Sequence, residues 1–258
     1  MKLDRVRGFL VDIDGVLTTG GMAIPGAKEA INLLRDRGIP FRCVSNSTRR
    51  CRASIAGMLE NQGLEIGENM IFTPPLAAVK LMEETNKHRA FLLTTDDVES
   101  DFSWAGILIN RNPVDYVVVG DAGEKITYET MNQVFRHVMS GAEIIALEKD
   151  RFWMAPEGLS LSAGPFVTAL EFATGKTASV VGKPAKAFFD LALRDMDVEP
   201  AHAVMIGDDV TTDIGGAHAA GMRGILVRTG KFRNDVLNKS GVVPEAILNS
   251  IDEIKTVI

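Results

Sequence analysis

The sequence predicts an α/β protein in which a mostly parallel sheet, flanked by helices, is interrupted by an inserted second α/β domain. Three observations point there. Over residues 1–75, short apolar runs alternate with amphipathic stretches, the βαβα rhythm of a parallel sheet. The rhythm resumes over 180–258. Residues 76–179 between them carry a βα pattern of their own, so the two chain ends build one domain and the middle builds another.

Gly8–Ile13 is an apolar run that stops at Asp14-Gly15, a strand followed by a turn. Ala30, Ile31 and Leu34 fall on one face of a helix over Ala27–Arg37, and Gly38 ends it. Ile39–Ser45 reads as the next strand. Ser47 or Thr48 is placed to cap a following helix, which turns Ile55, Met58 and Leu59 inward and ends near Gly63. In the insert, Tyr116–Val119 and Ile144–Leu147 read as strands and Phe166–Ala173 as a helix. Met131, Val134, Phe135 and Val138 recur at i, i+3, i+4, i+7, a helix closed by Gly141. Val180-Val181 reads as a strand of the first domain, and Pro184 suits the first turn of a helix over Ala185–Asp195. Ala203–Ile206 and Gly224–Val227 are strands on either side of a short helix over Asp213–Ala220.

A chain of 258 residues is comfortable for a domain plus an insert. A formal net charge of −6, with no dense Lys/Arg stripe, gives no footprint for nucleic acid. No apolar run approaches the roughly 18 residues a membrane helix needs, and MKLDRVRGFLVDIDG lacks the apolar core of a signal peptide. Cys43 and Cys51 do not make a disulfide framework, and Cys43 reads as a buried thiol. A cytoplasmic protein without a membrane partner is the expectation.

In an open parallel sheet, ligands bind beyond the carboxyl ends of the strands. The polar residues after each strand of the first domain are therefore the candidates. Asp12 and Asp14 follow the first, Ser45 and Asn46 the second, and Lys183 follows Val180-Val181. Asp208, Asp209 and Asp213 follow Ala203–Ile206. Carboxylates converging at a buried rim repel one another and resist desolvation, and a hard divalent cation relieves both costs. Oxygen donors without His or Cys favour Mg2+, held by Asp12, Asp208 and the Asp14 backbone carbonyl. Asp12, near the metal and Lys183, stays ionised and can attack phosphorus. Asp14, two residues on and facing the same way, can give a proton to the leaving oxygen and then activate water. Ser45 and Asn46 can donate to phosphoryl oxygens, helped by the amides of the next helix, and Lys183 supplies a point charge.

DIDGVLT, VSNST, GKP and GDDVTTD, in that order, resemble the four motifs of the haloacid dehalogenase superfamily of aspartyl-phosphate phosphatases. The resemblance spans nearly the whole chain. The insert resembles the large α/β cap of the NagD and p-nitrophenyl phosphatase branch. The stretch GLSLSAGPFVTALEFATGKTASVVGKP is especially similar to the phospholysine phosphohistidine inorganic pyrophosphate phosphatase subgroup. The resemblance implies a Rossmann-like core with a cap, and a small phosphorylated substrate. It implies Asp12 as nucleophile, Asp14 as acid/base, Ser45, Asn46 and Lys183 as phosphate binders, and Mg2+ on Asp12, Asp14 and Asp208. It puts Asp213 behind the metal waters or Lys183, and it admits a homodimer through the cap; Asp208 is the metal candidate because it directly follows Gly207, which leaves Asp209 to act from behind the ligands.

Each motif alone has a bland reading: a strand-end turn at Asp14-Gly15, helix caps at Ser45 and Asn46, a solvated loop lysine at Lys183. Arg49, Arg50 and Arg52 read as a solvated helix face, and Trp104 and Trp153 as core. A phosphotransferase of the same family, or a phosphate-accepting signalling module, remains an alternative to the phosphatase.

Overall fold

The computed structural model describes residues 3–155 and 158–258. The chain forms two compact units: Met1–Ser45, Arg52–Phe72 and Lys183–Ile258 make the first, and Asn46–Cys51 with Thr73–Gly182 make the second.

The first unit is built on a six-stranded sheet, all of it parallel. Across the sheet the strands run Ala246–Leu248, Arg223–Val227, Ala203–Gly207, Gly8–Asp12, Phe41–Val44 and Ile71–Phe72. From Gly8–Asp12 the chain winds one way through Phe41–Val44 to Ile71–Phe72. It then returns to Ala203–Gly207 on the other side and winds outward. The winding reverses between Gly8–Asp12 and Ala203–Gly207, so the crevice past their carboxyl ends is the place this topology offers a ligand. Gly8–Asp12 and Ala203–Gly207 are buried along their whole length, as expected for central strands covered on both faces.

Helices supply the cover. Ala27–Asp36 turns Ala27, Ala30, Ile31 and Leu34 inward, at the spacing that predicts the element. They join Phe9, Val11 and the other inward side chains of the central strands in one core. Each fully buried Leu or Ile there contributes about 1.5–3 kcal/mol. A smaller cluster of Val210, Ile214 and Leu226 carries Phe232 and Val236 beside it.

The second unit holds a five-stranded parallel sheet: Ser179–Val180, Glu143–Ala146, Tyr116–Val119, Arg89–Leu93 and Leu108–Ile109. The helices Tyr128–Met139 and Gly164–Thr174 pack Val134, Val138 and Leu170 against it. An antiparallel hairpin pairs Phe152–Ala155 with Gly158–Leu161.

Two local expectations are corrected here. Val180 pairs with Ala146 in the second unit's sheet, so it is not a strand of the first. The chain crosses between units just after it, and Lys183 is the first residue back. Neither Ser47 nor Thr48 caps a helix: the helix begins only at Arg52 and runs to Asn61. The Thr48 hydroxyl is engaged with the Asp121 amide at 3.2 Å, and Cys51 gives its amide to Asp97 at 2.8 Å. Ser45 therefore stands seven residues before the first helical turn, and the expected help from its amides does not apply.

The arginines also part company. Arg49 and Arg50 lie exposed in the irregular stretch before the helix, while Arg52 is buried. Arg49 pairs with Asp121 at 3.2 Å and lies 5.8 Å from the Trp153 ring centre. Trp104 is not core: 66% of it is exposed. Both cysteines are buried thiols outside any disulfide, and burial pushes Cys43 up to about 12. No helix among the described residues is long and apolar enough to cross a membrane.

Candidate active site

Asp12 closes its strand at the point where the winding reverses. Val11 pairs with Ile206, so the residues just beyond, Asp12 on one strand and Gly207 then Asp208 on the next, emerge side by side. Asp208 is followed by Asp209, which caps the wide π-helical turn Val210–Gly215. The Asp209 carboxylate accepts from the amides of Thr211 and Thr212 at 2.9 and 3.0 Å, and from the Thr211 hydroxyl at 2.7 Å. Burial works against its charge, but these donors win and hold it below the usual carboxylate range. Asp209 is thus engaged in building the turn that carries Asp213.

Lys183 reaches both acids. Its ammonium donates to Asp12 Oδ1 at 2.6 Å and to Asp213 Oδ1 at 2.7 Å. All three side chains are buried, at 8% exposure or less. Asp213 Oδ2 accepts the Asp209 amide at 3.1 Å. Both oxygens of Asp213 are therefore engaged, one on the lysine and one on the backbone.

Asp12, Asp208 and Asp213 each bring a carboxylate oxygen within 4.8 Å of the others. Three carboxylates and one ammonium leave two negative charges uncompensated in a buried place. Burial pushes Asp12 well above its usual range; Lys183 pulls it back, while Asp213 and Asp208 push it further up. Burial likewise opposes the charged form of Lys183, yet Asp12 and Asp213 together outweigh it and hold the ammonium above its ordinary range. Asp208 is pushed up to about 6, chiefly by burial, with the Lys231 amide opposing. A cluster of hard oxygen donors with two charges to neutralise suits a divalent metal ion. Asp12 and Asp208 suit it best as direct ligands, because both oxygens of Asp213 are already engaged, one by Lys183 and one by the Asp209 amide.

Asp14 stands apart from that cluster. It is exposed, past the end of the strand, and its Oδ2 accepts from the Ser45 hydroxyl at 3.4 Å. Ser45 itself is buried at the end of Phe41–Val44, one strand over from Asp12. Asn46 follows it, half-buried, and groups with the second unit. The structure therefore brings Asp12, Asp14, Ser45, Lys183, Asp208 and Asp213 together within one unit. Residues 228–231 follow the Arg223–Val227 strand at the same rim and are not among the residues the sequence singles out. The signal was available, since the rule used for the other strands applies to this one too.

Comparison with known proteins agrees with this geometry. The model of the haloacid dehalogenase-like hydrolases matches residues 9–108, and a second, HAD-hydrolase-like model matches 180–254. The chain is 41% identical over 253 residues to a Bos taurus protein named haloacid dehalogenase-like hydrolase domain-containing protein 2, covering 96% of each. It is 41% identical over 238 residues to the human phospholysine phosphohistidine inorganic pyrophosphate phosphatase, covering 90% of this chain and 86% of the relative. Among solved structures, the p-nitrophenyl phosphatase from Archaeoglobus fulgidus superposes with a TM-score of 0.88 at 28% identity, covering 96% of this chain and 98% of that one. The chain is an enzyme that belongs to the haloacid dehalogenase-like hydrolase family.

Proposed function

We propose that the enzyme is a Mg2+-dependent phosphatase that works through an aspartyl phosphate on Asp12, with Asp14 as general acid and base. The observation that carries the reading is the buried triplet Asp12–Lys183–Asp213 with Asp208 beside it at the sheet's switch point.

The steps follow from the charges. An oxygen of Asp12 attacks phosphorus and forms a P–O bond as the bond to the leaving oxygen breaks. Asp14, in its protonated form, gives that oxygen its proton. Asp14, now ionised, takes a proton from water, and the hydroxide attacks the same phosphorus. The P–O bond to Asp12 breaks, inorganic phosphate leaves, and both carboxylates return to their starting forms. Lys183 favours the ionised form of Asp12 against the effect of burial and offers its charge to the transferring phosphoryl oxygens. Ser45, and Asn46 next to it in the chain, are proposed to donate to the same oxygens. Mg2+, when held by Asp12, Asp208 and the Asp14 carbonyl, neutralises the excess charge and acts as a Lewis acid toward a phosphoryl oxygen.

The substrate class is a small phosphorylated molecule. The name of the human relative brings phospholysine, phosphohistidine and pyrophosphate into the panel beside ordinary phosphomonoesters. The test is Asp12→Asn against p-nitrophenyl phosphate with Mg2+. Turnover is expected to vanish with the fold intact, and retained metal-dependent turnover rejects the assignment. Phosphate release measured with and without an alcohol acceptor separates a phosphatase from a phosphotransferase, and multiple turnover excludes a receiver-type signalling module.

The proposed partner, besides substrate, is a second copy of the chain. In the hairpin register, Phe152 faces Leu161 and Met154 faces Leu159. Directly opposed residues, and residues two apart, share a face. These four side chains are exposed by 55–70%, an apolar patch of the kind that marks an interaction surface. A two-fold axis would set the patch against itself. We place the protein in the cytoplasm, in keeping with its two reduced thiols.

A further inference from the structure

One carboxylate of the site is gripped by a segment that the proposed chemistry does not use. Asp208 Oδ2 accepts the backbone N–H of Lys231 at 2.6 Å. The same oxygen is wedged between two glycines: a Cβ on Gly15 or on Gly230 would lie 2.0 Å from it. Both glycines have positive φ, +89° and +63°, so backbone alone can follow this path. They also touch each other, since a Cβ on Gly230 would come within 2.5 Å of the Gly15 Cα. Thr229 completes the contact, its hydroxyl donating to the Gly15 carbonyl.

The ends of this segment are anchored. Arg228 continues the parallel ladder, its N–H donating to the Leu248 carbonyl at 2.9 Å. Phe232 packs on the Val210, Ile214 and Leu226 cluster, with the Arg228 guanidinium 5.0 Å from its ring centre. Residues 228–232 thus form a strap held at both ends and pressed in the middle against Asp208 and the Asp12–Gly15 segment.

We propose that this strap is a positioning device for the metal: it fixes Asp208 so that one oxygen alone faces the cation, and through the Thr229 hydroxyl it locks the Asp12–Gly15 segment at a set distance from Asp208. The argument is geometric. An oxygen enclosed by two glycine backbones and an amide has no room for a cation, so Asp208 binds through Oδ1 only. Mg2+ demands near-octahedral geometry and few carboxylates, so a monodentate, immobile acid suits it better than a mobile bidentate one. Thr229 hydrogen-bonds the residue directly after Asp14, whose carbonyl is a proposed ligand. Loosening that bond frees one ligand relative to the other. Thr229 is a positioning residue, and the proposal rests on the Mg2+ reading of the site.

The test is Mg2+ binding measured by calorimetry on the purified full chain, without substrate, for wild type, Thr229→Val, Thr229→Ser and Asp208→Asn. Thermal unfolding in EDTA checks that each variant is folded. Thr229→Val is expected to bind Mg2+ about tenfold more weakly, with KM for p-nitrophenyl phosphate at saturating Mg2+ shifted less than threefold. Thr229→Ser, which keeps the hydroxyl, is expected to retain wild-type affinity for the metal, and Asp208→Asn to lose it. A folded Thr229→Val with wild-type Mg2+ affinity overturns the strap while leaving the metal site standing. Wild type that binds no Mg2+, or Asp208→Asn that binds it normally, overturns the metal reading and the strap with it.

Discussion

The Lys183 ammonium lies 2.6 Å from Asp12 Oδ1, across 171 residues of sequence, and both side chains are buried. One cation here holds two acids, Asp12 and Asp213, inside the protein. Replacing Lys183 with Met should strand both carboxylates. The expected loss is about 3–5 kcal/mol of folding free energy at neutral pH without Mg2+, because an unpaired buried charge is the costly case. Urea unfolding in EDTA measures it, and a loss below 1 kcal/mol contradicts the burial argument.

The metal-free protein should respond to pH through Asp208. Its carboxyl is raised to about 6 in the fold, against roughly 3.9 in an unfolded chain. A raised acid favours folding in its protonated form. Its contribution is full below the unfolded value and is lost as pH rises through about 6. Asp12, also raised, acts in the same direction. In EDTA at pH 8, Asp208→Asn should therefore be more stable than wild type, by up to about 2–3 kcal/mol. The difference should close at pH 4. With Mg2+ the order should reverse at pH 8, because the cation binds the ionised carboxylates. Thermal unfolding of both proteins across that range, with and without Mg2+, reads the sign directly.

Glu148 is a buried acid of the second unit with a structural task. It accepts from the Ser162 hydroxyl at 2.6 Å, from the Ala163 amide at 2.7 Å and from the Asp150 amide. Burial raises its carboxyl while these donors pull it down, and burial wins. Glu148→Ala should leave these donors without their acceptor and cost about 2–3 kcal/mol. Glu148→Gln, which keeps one acceptor oxygen, should cost less. Denaturant unfolding of the two variants gives the ranking, and equal costs would show that the hydrogen bonds are not what the glutamate contributes.

The hairpin patch predicts concentration-dependent self-association. Met154→Glu with Leu159→Lys should shift sedimentation equilibrium from dimer to monomer while leaving the unfolding free energy of dilute protein within about 0.5 kcal/mol of wild type. A wild type that sediments as a monomer at every concentration rejects this interface.

Much of the site was legible because its chemistry is written at strand ends. Asp12, Asp208 and Ser45 follow apolar runs whose burial is dictated by composition, and a parallel sheet gathers such ends at one rim. Lys183 is legible only in part: the strand before it belongs to the other unit's sheet, and nothing in two valines tells which sheet they join. The start of the Arg52–Asn61 helix was misread because Ser47 and Thr48 look like caps locally. Their segment is instead tied to Asp97 and Asp121, contacts 46 and 73 residues away. The strap is hidden in the sequence for the same reason. Gly15 reads as half of a turn dipeptide, and only the fold reveals that Thr229, 214 residues on, bonds to its carbonyl.

The central claim is that Asp12 itself becomes phosphorylated. It is tested most directly in Asp14→Asn, where breakdown of the intermediate should be slowed. The variant is mixed with p-nitrophenyl phosphate and Mg2+, quenched in acid, treated with borohydride and mapped by peptide mass spectrometry. The account predicts reduction of Asp12 to homoserine, dependent on Mg2+ and on substrate, with Asp208 and Asp213 unchanged. A stoichiometric adduct on any other residue, or substrate turnover by wild type with no adduct trapped under any quench, would contradict it.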